Sequence, residues 1–338
     1  MNPHALFEID GFVWDSWKHS RLFSRVSVEL PTNEAALGSL EALDKNFVFL
    51  NRYTKPEGVP LATVRIWMGF GPEIARTEPV FKGLLARVER GQAKTTLVAY
   101  DMALKMRLLK KTEYHKGDDL KIMKKLVERN GLKFQGPANP LKLEPHSSMS
   151  QDEQTDWEHV LERARESGLV VWVREDTLFA DYPAKVSTPS RTLTYRKDFT
   201  LLRDWDFAFR VPENVEGRPK KVQVRGRGRG GKRLTGESDE NSRGHEPVSI
   251  KRDLPRHTKK AASRRAQAQK ELDREHAFTG RTNRITGSGF QRDDVRQTVR
   301  VLEIGKLFSG DYIVDRVNHE FVPGRLTTGY ELYRDVKE

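Results

Sequence analysis

Leu307-Phe308-Ser309-Gly310-Asp311-Tyr312-Ile313-Val314-Asp315-Arg316-Val317-Asn318-His319, then Pro323-Gly324, then Leu326-Thr327-Thr328-Gly329-Tyr330-Glu331-Leu332-Tyr333-Arg334 is the most telling stretch of the sequence. Tyr312, Val314 and, after a break in register, Val317 alternate with polar neighbours. Tyr330, Leu332 and the β-favouring Thr327 and Thr328 do the same on the return, and Pro-Gly stands between the two runs. Period-2 alternation around a turn dipeptide predicts a β-hairpin.

Short apolar runs separated by turn residues fill the N-terminal part: Arg25–Leu30, Asn46–Leu50, Ala62–Phe70, Val80–Glu89 and Lys94–Tyr100. This rhythm predicts an antiparallel barrel or sandwich. Within it, Thr32–Leu43 has the composition of a short helix, capped by Thr32 or Asn33. The character then changes. Asp101–Lys110 is helical in propensity. A helix is expected over Asp118–Gly131, with an Asp cap and a terminating Asn-Gly. A second amphipathic helix is expected over Gln154–Ser167, and a hairpin joins Leu169–Arg174 to Thr177–Ala180 across Glu175-Asp176. Strands return at Leu193–Tyr195, Trp205–Val211, Lys221–Arg225 and Val295–Leu302, interrupted by a Gly-Arg run and by an Ala-, Arg- and Lys-rich helix over 258–276. No fixed-period repeat is evident, but two β-rich blocks flanking an insert suggest a duplicated barrel.

The wording of the 307–334 hairpin resembles the closing hairpin of the late control D family of phage tail proteins. These are baseplate hub proteins related to the N-terminal part of type VI secretion spike proteins. Tyr100-Asp101-Met102-Ala103-Leu104, Leu108-Leu109 and Asp118 to Gly131-Leu132 resemble the family's join between first barrel and inserted domain. Asn214–Gly217 leading into Val222–Gly226, the Ala-rich stretch 261–277, and Gly287-Ser288-Gly289 continue the likeness in order. The resemblance implies a mainly β fold with α insertions: two similar tube-forming antiparallel β-barrel domains (1–103 and 186–338) and a small α/β insert (104–185). The second barrel would carry a basic loop (225–247) and the Ala-rich helix (258–276).

It further implies a homotrimeric ring of pseudo-sixfold symmetry joining the tail tube to a trimeric spike, with no enzymatic activity and no cofactor. Implied partners are the spike, a tail tube or tube-initiator protein, and baseplate wedge and tape measure proteins, with transient passage of DNA through the lumen. The implied place is the virion tail, assembled in the host cytoplasm. Interface strands are expected at barrel edges, including Val26–Leu30 and Tyr312–Val317. Interface or lumen residues are expected at Arg225, Arg227, Arg229, Lys232, Arg233, Tyr312 and His319. A His recurs at the place of His319 in the family's hairpin, and the ordinary reading of His319 here is a turn-stabilising hydrogen bond.

Composition bounds the alternatives. The 338-residue chain has no cysteine, which excludes disulfides and thiolate metal sites, and its longest apolar run, Leu169–Val173, is far too short to cross a bilayer. The N-terminal residues lack the basic and apolar segments of a secretory leader. The net charge of +12 is uneven: residues 218–300 hold 23 Lys or Arg against 10 Asp or Glu, and the remainder balances to −1. One segment therefore carries the excess, and a nucleic-acid binding protein using 218–276 is the rival reading. Gly226-Arg227-Gly228-Arg229-Gly230-Gly231-Lys232 fits most of a phosphate-binding loop. Arg233, however, stands where Ser or Thr must hold Mg²⁺, and Leu234-Thr235-Gly236-Glu237-Ser238 lacks a helical pattern, so the run reads as a basic loop. Asp152, Asp156 and His159 read as a solvated helix face in preference to a metal site. The pairs Asp118-Asp119 and Asp293-Asp294 diverge in direction, unlike facing catalytic carboxylates. Ser288 lacks the frame of a nucleophile elbow.

Overall fold

The computed structural model describes residues 2–19, 21–44, 62–140, 145–195, 202–209, 222–227, 233–237, 248–254, 263, 266, 276, 278–286, 290 and 292–334. The first β block contains β1 (Pro3–Ile9), β2 (Phe12–Asp15), β3 (Phe23–Pro31), β4 (Leu37–Leu43), β5 (Thr63–Phe70), β6 (Phe81–Arg90) and β7 (Lys94–Asp101). A 3-10 turn (Met102–Arg107) leads into the insert, made of β8 (Lys110–Gly117), α1 (Asp119–Arg129), β9 (Lys133–Gln135), β10 (His146–Thr155), α2 (Asp156–Glu166), β11 (Val170–Arg174) and β12 (Thr177–Asp181). The second block contains β13 (Arg191–Thr194), β14 (Leu202–Phe209), β15 (Val222–Arg227), β16 (Arg233–Glu237), β17 (Val248–Leu254), β18 (Phe278–Ile285), β19 (Thr298–Leu302), β20 (Gly310–Val322) and β21 (Arg325–Arg334).

The hairpin forms as expected. β20 and β21 pair from Ile313–Tyr333 to Val322–Arg325, leaving Pro323-Gly324 as a two-residue turn, and Gly324 has the positive φ of 84° that the turn needs. The register break falls at Asp315, a bulge between the Val314–Leu332 and Arg316–Glu331 pairs. Both β-rich blocks are present, and they are hydrogen-bonded to each other. The C-terminal half of β20 lies antiparallel on β3, so that 13 strands form one sheet, running β14-β18-β21-β20-β3-β4-β7-β6-β5-β1-β2 with β19 and β13 branching from β20. One hydrophobic core runs through both blocks, from Phe7, Leu40 and Ile66 to Tyr312, Val317 and Leu332. Burial of each such side chain stabilises the fold by about 1.5–3 kcal/mol.

The order of the ladder is the same in the two blocks. In the first, β3-β4-β7-β6 is continued by β5; in the second, β14-β18-β21-β20 is continued by β19. The registers agree residue by residue. β3 bulges at Ser24 and β14 at Arg203, each after the first residue pair of its ladder with β4 or β18. β6 bulges at Ala86, as β20 does at Asp315. Tyr100 lies opposite Leu84 as Tyr333 lies opposite Ile313. Thr63-Val64-Arg65-Ile66 pairs with Leu84 to Phe81 as Thr298-Val299-Arg300-Val301 pairs with Ile313 to Gly310. Gly38 and Gly280 also correspond, and each is required: a Cβ would stand 2.6 Å from the Phe81 ring at the first and 2.4 Å from the Phe207 ring at the second. The chain therefore contains two copies of one ladder, diverging at β1 and β13, which pair antiparallel and parallel respectively.

Thr32–Leu43 is not helical. Residues 37–43 form β4, with Ala36, Gly38, Leu40 and Ala42 buried, and β3 and β7 pair on its two sides. Satisfying the backbone groups of two neighbouring strands outweighs local helix propensity here. In the insert, α1 is capped by Asp118, whose side chain accepts from the Lys121 amide at 2.9 Å, and it ends at Asn130-Gly131, where Gly131 has φ 78°. α2 starts two residues later than its periodicity suggests. Thr155 and Glu158 form a reciprocal capping box, and the preceding residues extend β10 instead. The 169–180 hairpin is present as β11 and β12, with β9 added in parallel. The strand expected at Asn46–Leu50 lies outside the described residues. So does nearly all of the 258–276 helix, of which Ser263 and Ala266 are described as helical.

Both blocks clamp the insert. Lys82 of β6 is salt-bridged to Asp176, and Asn33 is hydrogen-bonded to β11. From the second block, the Arg296 guanidinium lies 4.4 Å over the Trp172 ring and donates to the Tyr182 carbonyl at 2.7 Å, and Arg174 reaches Asp294 at 3.4 Å.

Candidate assembly surface

The outward face of β14, β18, β21, β20 and β3 is a charged, open groove. Two hollows of 540 and 430 Å³ adjoin through Asp206, Arg281 and Glu331. Arg316 gathers three carboxylates across strands, bonding Glu29, Glu34 (2.8 Å) and Glu331 (3.3 Å), and Arg281 meets Glu331 at 3.1 Å. These walls mix charged and apolar side chains and lie open to solvent, unlike the enclosed, convergent pockets that hold small molecules. Beneath the sheet the chemistry is buried. Asp293 takes Tyr330 Oη at 2.5 Å, Arg191 at 3.0 Å and Arg284 at 3.2 Å. Burial works to raise the Asp293 carboxyl, while the Tyr330 hydrogen bond and Arg191 oppose it. Asp294 turns the other way, to Arg174 and Arg292, so the two neighbouring carboxylates diverge as expected.

The site residues named from sequence separate into three groups. Arg225 and Arg227 lie on β15 and Arg233 on β16, where Arg227 pairs with Arg233 in an antiparallel ladder. The ends of the Gly-Arg run are thus strands, and the residues after Lys232 form β16, not the helix that a phosphate-binding loop requires. Arg229 and Lys232 lie outside the described residues. Tyr312 and His319 are wholly buried in the core and present nothing to an interface or lumen within this chain. His319 bonds Thr328 Oγ1 at 3.0 Å, directly across the hairpin, which is the structural role its position suggests. Burial, reinforced by the nearby Arg292 and Arg191 charges, holds its imidazole down at about 3.

The expected edge strands are not edges. β3 pairs with β4 and β20, while β20 pairs with β21 on one side and with β19 and β3 on the other. Nor do Asp152, Asp156 and His159 form a solvated face. Asp152 is in β10, and Asp156 is buried beneath Arg129, Asn130 at 2.7 Å and Gln151 at 3.1 Å. No group of three metal-ligating side chains occurs among the described residues.

Open edges lie elsewhere, beyond those of β2 and β13, each of which pairs on one side among the described residues. β14 pairs only with β18, and the C-terminal half of β6 pairs only with β7, among the described residues. Trp205 and Phe209 on β14 are each 41% exposed. Their ladder counterparts on β3, Val26 and Leu30, are 0% and 6% exposed because β20 covers them. No signal within β14 alone identifies it as an edge; only the matching of the two ladders does.

A family model described as the Alg8 N-terminal domain matches residues 54–226, half of the chain. The chain belongs to that family. The span matched to the Alg8 N-terminal domain runs from the segment before β5, through the whole insert, to β15. No curated protein matches the chain. Solved structures match it throughout. A tail protein from Neisseria meningitidis MC58 superposes with TM-score 0.69 at 15% identity, covering 99% of this chain and 97% of that one. The 43 kDa tail protein of prophage MuSo2 from Shewanella oneidensis gives 0.63 at 12% identity, covering 98% and 96%. An Escherichia coli component of the type VI secretion system, described as structurally similar to T4 bacteriophage tail proteins gp27 and gp5, gives 0.59 at 11% identity, covering 98% and 77%. At these identities the likeness is one of fold: the chain has the mainly β fold of phage tail proteins, and the fold implied by the 307–334 hairpin is the fold observed.

Proposed function

We propose that this protein is a structural hub of the late control D type in a phage tail or related contractile injection machine. It forms a trimeric ring that joins the sixfold tail tube to a threefold spike, and it has no enzymatic activity. The observation that carries the reading is the duplicated ladder, β3-β4-β7-β6-β5 and β14-β18-β21-β20-β19, already joined side by side through β3 and β20. A chain holding two like units supplies six units as a trimer, and so converts sixfold into threefold symmetry. The tail-protein fold of the solved neighbours supports the same role. The division into tube domains 1–103 and 186–338 with an insert at 104–185 belongs to this proposal. So do the spike, tube, wedge and tape measure partners, the virion-tail location, and contact of Arg225, Arg227, Arg229, Lys232 and Arg233 with acidic partner surfaces or the lumen. No helix among the described residues is long and apolar enough to cross a membrane.

Native mass by light scattering at high salt tests the reading, with the chain alone and co-expressed with the neighbouring spike candidate. The expected mass is about 117 kDa, three times 38.9 kDa, for the chain alone, and that mass plus three spike chains for the co-expressed complex; a trimer in either preparation supports the reading. A monomer in both that copurifies with nucleic acid at low salt overturns it in favour of a binding protein using 218–276.

A further inference from the structure

The seam between the two ladders within the chain shows how the next seam would be built. Val317 of β20 lies opposite Leu30 of β3, and Asn318 lies opposite Glu29. Carried through the matched registers, β20 corresponds to β6, with Val317 at the place of Val88 and Asn318 at the place of Glu89. In the same way β3 corresponds to β14, with Leu30 at the place of Phe209 and Glu29 at the place of Ala208. Along Ala86–Glu89 and along β14, the edges that would make this second seam have no partner among the described residues.

The side chains show the same gap. Phe209 and Trp205 stand exposed where Leu30 and Val26 are covered, and Val88 is only half-buried where Val317 is wholly buried. An unpaired edge flanked by exposed aromatics is a template for strand addition. Within one chain the two units have used one of their two seams, and the edges of the other are open among the described residues.

We propose that β14 of one copy lies antiparallel on residues 88–90 of β6 in the next, with Phe209 opposite Val88, Ala208 opposite Glu89 and Phe207 opposite Arg90. The occupant is a second copy of this chain, because β20 is the strand seen to fit the edge of β3, the duplicate of β14, and β6 is the duplicate of β20. The seam repeats the internal one, so the sheet passes from chain to chain without a change of register. This rests on the ring reading above and adds the residues that close it.

The chain has no cysteine, so a designed pair reads without background. Residues directly opposite on antiparallel strands have Cα atoms about 4.5–5.5 Å apart, within disulfide reach. Glu89 and Ala208 are both exposed in the single chain. The double variant Glu89→Cys/Ala208→Cys, oxidised and run without reductant, is expected to give a covalent trimer. The displaced pair Val88→Cys/Ala208→Cys puts the two thiols on opposite faces and is expected to stay monomeric on the gel. Native mass is measured on both. A 117 kDa particle, three times 38.9 kDa, with no cross-link from the first pair overturns the seam and leaves the ring standing. Equal cross-linking by both pairs overturns the register. A monomer with or without the spike overturns the ring reading itself.

Discussion

Asn33 and Val171, 138 residues apart, are tied by two hydrogen bonds: the Asn33 amide donates to the Val171 carbonyl at 2.7 Å, and the Val171 amide donates to Asn33 Oδ1 at 3.0 Å. Asn33 therefore acts as a one-residue strand on the edge of β11, and its φ of 57° is the left-handed conformation that Asn tolerates better than most residues. Asn33→Gly keeps the conformation and loses the side-chain bond, whereas Asn33→Ala loses both. The expected cost is about 1 kcal/mol for Gly and about 2 kcal/mol for Ala. Hydrogen exchange at β11 should speed up in both variants while the β3–β4 ladder keeps its protection.

Gly38 and Gly280 allow an independent check of the duplicated ladder. A methyl at either position meets an aromatic ring inside the core. Gly38→Ala and Gly280→Ala should each destabilise by about 1–3 kcal/mol in chemical denaturation, by overpacking. An Ala variant at either site as stable as the parent would contradict the close approach of the Phe81 or Phe207 ring.

Asp293 sits between Arg191 and Arg284 with almost no access to water. Asp293→Asn leaves two buried guanidinium groups without their carboxylate, and the expected loss is about 3–5 kcal/mol. Because Tyr330 also donates to Asp293, Tyr330→Phe in the Asp293→Asn background should cost much less than it does alone. A double-mutant cycle in urea reads the difference.

Acid should begin to weaken the fold at a pH above the ordinary carboxylate range. Burial holds His319 at about 3 and His159 at about 4, both below the ordinary 6.5. Between those values and 6.5 the unfolded chain binds protons that the folded chain does not, so stability is full above about pH 6.5 and falls as pH drops through this window. For His319 alone the loss reaches at most about 4–5 kcal/mol at the acid end. His319→Gln removes the titrating group, and its thermal midpoint should vary less between pH 7 and pH 4 than the parent's.

The hairpin was legible because its turn, its alternation and even its bulge leave marks in 28 consecutive residues, Leu307–Arg334. The α1 cap and the β11–β12 turn were legible for the same local reason. β4 was not, because its buried positions are Gly38, Leu40 and Ala42, of which two are small and hide a period of two among good helix formers. The duplication was legible only as two β-rich blocks flanking an insert; its correspondence residue by residue was not. Apart from Thr63-Val64-Arg65 and Thr298-Val299-Arg300 and scattered matches such as Gly38 with Gly280 and Tyr100 with Tyr333, corresponding positions keep backbone pairing while exchanging side chains, as where Leu40 answers to Thr282 and Arg90 to His319. The open edges follow from that hidden correspondence, so a search for exposed apolar strands in the sequence passes over Phe209 and settles on Val26–Leu30, which the chain covers with its own β20.

Ser24, Ala86, Arg203 and Asp315, the four bulged residues of the two matched ladders, also decide what a fragment would do. Each block bends at the same two points, so either one cut free would be a tile with the same curvature and both kinds of edge, one that gives a strand and one that takes it. Fusing two such tiles into one polypeptide fixes their order and uses up one joint in advance. An unfused half would be free to add to itself until geometry stopped it, as a ring if its curvature closed and as a filament if it did not.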